Sequence, residues 1–238
     1  MARLPRLSIA KQLHLLVHRA KGDRPVLWEP RDLDAYLACL QEASAAEAVS
    51  IHAFALTTRE VRLLVTPQAD VALSAMLQSI GRKFVPAFNR RHDRRGPLWD
   101  GRFRATVIEP EAHFVACLKF VEMSPVRCGL VERAEDWPWS SASHHGGKRR
   151  IAGLTEHPLF WRIGNTPFER EANYRQALES PLDESDTQML QRAVLQGWVL
   201  GSAAFIESMA SLAPRRISPL RCGRKPLVRP ANNDLSLK

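Results

Sequence analysis

The sequence predicts an α+β fold: a ferredoxin-like antiparallel sheet with helices on one face, followed by a small helical C-terminal unit and a basic tail. Two observations predict the sheet domain. Apolar runs of strand length alternate with segments whose apolar residues recur at helical spacing, in the order strand, helix, two strands, helix, strand, helix. The two middle strands follow one another directly, as a β-hairpin does. A third observation sets the boundaries. Beyond about Ile151 the pattern is helical throughout, and the chain from 214 onward has four prolines and no periodicity. The expected division is therefore 1–150, 151–213 and 214–238.

Residues 9–17 read as the first strand, and a loop rich in charge and proline, HRAKGDRPVLWEPRD, separates it from a helix capped by Asp32. Leu33, Tyr36, Leu37 and Leu40 share one helical face. Residues 49–56 and 61–66 read as strands. Leu73, Met76, Leu77, Ile80, Phe84 and Phe88 form the apolar stripe of a helix over 73–89. A short strand over 103–108 follows. Phe114, Cys117, Leu118 and Val121 mark a helix that stops before Pro125. Three more helices are expected at 168–178, 184–199 and 202–212.

With 45% apolar residues in 238, the chain can bury one or two cores without staples. A net charge of +9 favours a polyanionic partner, nucleic acid first and an anionic membrane surface second. Cys39, Cys117, Cys128 and Cys222 lack zinc-ligand spacing and fit free thiols in a cytoplasm. Lys11 and His14 interrupt the N-terminal apolar residues, so no signal peptide is expected, and no run of eighteen apolar residues suggests a membrane span.

The densest basic stretch, 82–104, holds Arg82, Lys83, Arg90, Arg91, Arg94, Arg95, Arg102 and Arg104 against only Asp93 and Asp100. Trp99 and Phe103 interleave with it. Guanidinium forks suit phosphate, and an exposed aromatic ring can stack an unpaired base, so this stretch reads as a nucleic-acid footprint rather than a solvated loop. The tail stretch 214–230 holds six cations, among them Arg215, Arg216, Arg224 and Lys225, and no acid. It reads equally as a minor-groove arm or a solubilising tail.

Ordered stretches along nearly the whole chain resemble one family. They include MARLPR, QLHLLVHR, RPVLW, IHAFALTTREVRLLVTP, LQSIGRKFVPAFNRRH, GPLWDGRF, FVEMSPVRCGLV, WPWSSASHH, LTEHPLFW, GNTPFERE, GWVLGSAAF and RRISPLRCGRKP. The family is the REP-associated tyrosine transposases, a branch of the HUH single-strand DNA transposases. The resemblance implies recognition of hairpin-forming DNA, a divalent cation such as magnesium, and a nick made through a covalently attached tyrosine.

The departures from the family pattern fall on its chemistry. Its third strand carries His, a hydrophobic residue and His, where this chain has Glu60, Val61 and Arg62. Positions i and i+2 of a strand share a face, so the family's pair can hold one ion. Glu60 could ligate a hard cation; Arg62 has no lone pair and repels one. Matching the family's Y-I-E-L-N-P-V-R to FVEMSPVR places Phe120 at the nucleophile and Ser124 at the polar supporting position, with Arg127 retained. A phenyl ring has no hydroxyl to attack phosphorus. Phe120 lies at the margin of its helix's apolar stripe, where it either faces the old site or widens the core.

The chain's only tyrosines offer no replacement: Tyr36 falls on a core stripe, and Tyr174 matches a family position outside the catalytic site. His14, His52 and the adjacent His144 and His145 read as packed residues rather than ligands. No metal or cofactor is therefore expected. The sequence points to a transposase-like protein that binds hairpin or single-stranded DNA without cutting it, with a second copy of the chain kept open as a partner. An active nickase with another nucleophile, and an interaction protein that no longer binds DNA, are the rivals.

Overall fold

A computed structural model describes residues 6–22 and 24–219. Its α+β core is one four-stranded antiparallel sheet of order β2-β3-β1-β4, formed by β1 (His14–Arg19), β2 (Val49–Leu56), β3 (Glu60–Pro67) and β4 (Arg104–Val107). Helix α1 (Pro30–Ala46) connects β1 to β2, and α2 (Ala72–Arg91) connects β3 to β4. Strand β1 pairs antiparallel with both β3 and β4, and β2 pairs antiparallel with the outer side of β3.

Helices cover both faces of the sheet, which corrects the expectation of one. Leu16, Phe54, Leu56, Val61, Leu63 and Val65 pack against α1 and α2 through Tyr36, Leu40, Met76 and Phe84. The alternate residues Leu15, Val17, Ala53, Ala55 and Leu64 pack against α3 (Pro110–Glu122) through Phe114, Leu118, Phe120 and Val121. The physical reason is visible in the strands themselves. Leu-Leu-Val occurs in both β1 and β3, and a strand that is apolar at consecutive positions must be buried on both sides.

After α3 come the short helices α4 (Ser124–Arg127), α5 (Ala142–His145) and α6 (Pro158–Trp161), then α7 (Pro167–Glu179), α8 (Glu184–Gln196) and α9 (Ala203–Ala210). Phe160, Tyr174, Leu190 and Val194 from this part join the same apolar cluster as α3 and the sheet. Gly197 ends α8 in the left-handed region at φ 69°, so the helix stops at Gln196, three residues before the end that apolar periodicity alone suggests.

Both sheet edges are covered. Residues Ser140 and Leu154 bridge to β2, while Leu200 bridges to Ile108 beyond β4. Covered edges leave no strand template for unwanted pairing. Between Ile51 and Ala53 the β2–β3 register shifts, which frees His52 to bond Thr155 O at 2.7 Å and Thr66 Oγ1 at 2.9 Å.

Two local expectations change. Lys11 has φ 62° and its N–H meets Pro67 O, so the chain turns there and β1 begins only at His14. The cap of α1 is Glu29 rather than Asp32; Asp32 sits three residues inside, as the returning half of a capping box. It is fully buried and also accepts from Arg91 and His92, which ties the start of α1 to the end of α2.

Candidate nucleic-acid interface

Glu60 and Arg62 share the strand face that looks toward α3, since Val61 and Leu63 take the opposite face. Arg62 folds back onto Glu60: both Nε and Nη2 reach Glu60 Oε1 at 2.6 Å. Its guanidinium carbon lies 4.4 Å from the centroid of the Phe120 ring. Arg127 approaches the same ring at 5.0 Å, donates to Phe120 O, and reaches Ser124 Oγ at 3.2 Å. Ser124 donates in turn to Val121 O at 2.6 Å. Arg19, on β1, contacts the other Glu60 oxygen at 3.3 Å. Strand, helix and short helix thus bring Glu60, Arg62, Phe120, Ser124 and Arg127 into one cluster.

Phe120 satisfies both of its sequence expectations. It is fully buried in the α3 core, yet its ring presents a face to two guanidiniums. Such a stack contributes roughly 0.5–2 kcal/mol per cation, more where water is excluded. Burial, and then the neighbouring Arg62 charge, pulls Arg127 down to about 10, so it stays a cation at neutral pH.

A divalent cation does not fit this donor set. The carboxylate of Glu60 is engaged by Arg62 and Arg19, and an incoming cation would face both of them and Arg127. The Ser124 hydroxyl is committed to backbone. No group of three or more metal-ligating side chains lies close together among the described residues. Cys128, which sequence patterning read only as a free thiol, is exposed beside Glu60, Arg62 and Arg127. Burial and Glu60 raise its thiol, which keeps it protonated and a poor nucleophile.

Further cations gather at the same end of the sheet. Ala20 N donates to Arg59 O, Lys21 N to Leu98 O and Asp100 N to Arg19 O, so the 97–101 loop and the start of β3 both dock on the end of β1. A cavity of 670 Å³ opens there, with Lys21 and Arg82 among its lining and Leu98, Pro97 and Val85 as apolar walls. Across β4 a smaller cavity of 230 Å³ is lined by Arg6, Arg102, Arg104 and Arg215. Arg215 and Arg216 lie over Trp198 at 5.6 and 5.3 Å, and Arg104 donates to Leu195 O at 2.9 Å.

The basic stretch is not one uniform surface. Arg90 and Arg95 are exposed, but Lys83 pairs with Glu42 and Arg91 with Asp32. Arg94 lies over Phe88 and Trp28. Trp99 and Phe103 correct the stacking expectation, because both are buried. Trp99 stacks on His18 at 4.2 Å and meets Tyr36 edge-on, contacts with distant segments that bury the ring. Arg224 and Lys225 lie outside the described residues. Tyr36 and Tyr174 are buried, as are His14 and His52, which burial holds neutral at about 4.

The fold has a counterpart among solved structures. A REP-associated tyrosine transposase, solved bound to a REP hairpin, superposes with TM-score 0.53 at 14% identity, covering 66% of this chain and 99% of the other. The chain has the fold of a REP-associated tyrosine transposase. A candidate transposase from Deinococcus radiodurans R1 is 20% identical over 48% of this chain and 93% of its own, at TM-score 0.35. No protein-family model matches, and no curated protein matches. Within this transposase fold, the faces of β3 and α3 that meet are occupied by an ion pair and a phenyl ring.

Proposed function

We propose that the protein binds hairpin or single-stranded DNA and does not cut it. The observation that carries this reading is the cluster on β3 and α3: Arg62 lies against Glu60 and Phe120, leaving neither a cation site nor a hydroxyl aimed at phosphorus. Around it, cations far apart in sequence surround one sheet end: Arg19, Lys21, Arg59, Arg82 and Arg104. The fold it shares is that of a protein solved with a hairpin bound.

Labelled hairpin DNA, incubated with the protein and Mg²⁺, tests this on paired native and denaturing gels. The expected result is a shifted native band and no adduct surviving denaturation. With six or more phosphate contacts, affinity falls by about a thousandfold between 50 and 200 mM salt. An adduct on the denaturing gel identifies an active nickase; no native shift removes DNA as the partner.

A further inference from the structure

We propose that Arg62 and Arg127 form an anion seat that grips one backbone phosphate of the bound strand, an inference that rests on the DNA-binding reading above. Two guanidiniums, those of Arg19 and Arg62, contact one carboxylate, Glu60, and a third, that of Arg127, lies within reach of its charge. Arg62 is only 9% exposed, and its Nη1 is buried without any hydrogen-bond partner. Buried polar groups are nearly always satisfied, so an orphaned guanidinium nitrogen in a cluster of excess positive charge signals a missing acceptor.

The geometry explains why the acceptor is absent from the protein. Glu60 Oε1 takes both Nε and Nη2 of Arg62, while Oε2 faces Arg19, so no carboxylate oxygen remains for Nη1. Phe120 supplies no acceptor either; both guanidiniums lie over its ring, which offers them only a π face. The cluster is not sealed, because Arg127 and Cys128 lie at the surface and the Arg19 side chain is 40% exposed.

A phosphodiester matches what is left over. It brings one negative charge and two non-bridging oxygens, and guanidinium forks bind such oxygens in pairs. A second carboxylate or a metal ion does not match: among the described residues Glu60 is the acid that acts on Arg127 and Cys128, and a cation would add to the repulsion. In this chain the seat therefore takes the opposite charge from a metal site, and it holds phosphate without breaking a bond.

Two arms test the seat. Hairpin DNA is titrated over a salt series with the wild type and with Arg62→Gln, Arg127→Gln and Glu60→Gln. Each arginine change is expected to weaken binding by at least about tenfold, the loss of a charged hydrogen bond. Each should also lower the slope of log affinity against log salt by about one phosphate contact. Glu60→Gln, which removes the competing carboxylate, is expected to tighten binding. In the second arm, inorganic phosphate is compared with chloride at matched ionic strength by thermal melting. Phosphate should raise the wild-type melting temperature and fail to raise that of Arg62→Gln.

Wild-type salt slopes in both arginine variants overturn the seat, as does an equal phosphate shift in Arg62→Gln and the wild type. If Arg62→Gln does not fold, Arg127→Gln, altered at the surface, decides both arms. If the wild type binds no hairpin, the DNA reading fails and the phosphate arm alone decides the seat.

Discussion

Two carboxylates on the α3 side of the sheet make a natural comparison. Glu122, at the end of α3, is fully buried and surrounded by donors: Tyr174 Oη at 2.6 Å, His145 Nδ1 at 2.7 Å and the Ser141 hydroxyl. Both oxygens are satisfied, and none of these donors is an arginine. Glu60, on β3, is outnumbered by arginines, and a guanidinium nitrogen beside it has no acceptor. Glu122 joins α3, α5 and α7 into a closed network, whereas Glu60 lies in a cluster that an additional anion would complete. A satisfied buried acid belongs to the scaffold, and an unbalanced charge cluster at an opening belongs to a site.

Removing the scaffold acid should have the largest effect. Glu122→Ala leaves Tyr174, His145 and Ser141 without their shared acceptor in the interior, and is expected to cost about 3–5 kcal/mol in denaturant unfolding. Hairpin binding by the fraction that remains folded should keep its wild-type salt slope. A cost under about 1 kcal/mol would remove the distinction between the two acids.

Acid separates the scaffold from the site by another route. Burial lowers His14, His18 and His52 to about 4, against 6.5 for a free side chain. Between those values the unfolded chain binds more protons than the folded one, so stability rises with pH in that window. It is therefore full above about 6.5 and is lost as pH falls toward about 4, at up to about 1.4 kcal/mol per histidine per pH unit. The arginines keep their charge throughout this range. Urea midpoints measured at pH 7, 6, 5 and 4 should fall steadily; a flat profile would contradict the neutral, buried histidines.

What the sequence made legible divides along the same line. The strand and helix order was readable from periodicity. Glu60, Arg62, Phe120, Ser124 and Arg127 were singled out together by a motif resemblance, and β3, α3 and α4 bring their side chains into one cluster. Contacts between distant segments were not. Trp99 sits among arginines and glycines, which suggests exposure, but His18 and Tyr36 bury its ring. Arg91 belongs to the same basic stretch, yet Asp32 on another helix takes it. Arg19 carries no local signal at all; only the β1–β3 register sets it opposite Glu60. Helices on the second sheet face were missed because a continuous apolar run has no period to reveal its two sides.

The smallest expected effect is the most discriminating. Glu60→Gln keeps an acceptor for Arg62 but removes the negative charge that screens Arg62 from Arg127. Stability should therefore fall by only about 1 kcal/mol, within the range for partly exposed ion pairs. Inorganic phosphate should restore that loss, because an added anion replaces the charge removed. In Glu122→Ala the seat is intact, so phosphate should add only the wild-type increment and leave the loss itself unrestored, because the missing acceptor lies in a closed interior with no guanidinium to attract an anion. Paired melting curves of the two variants, with phosphate and with chloride, separate an acid that balances a site from an acid that builds the scaffold. A phosphate shift larger than the wild-type one in both variants, or in neither, would mean that the two carboxylates do the same job.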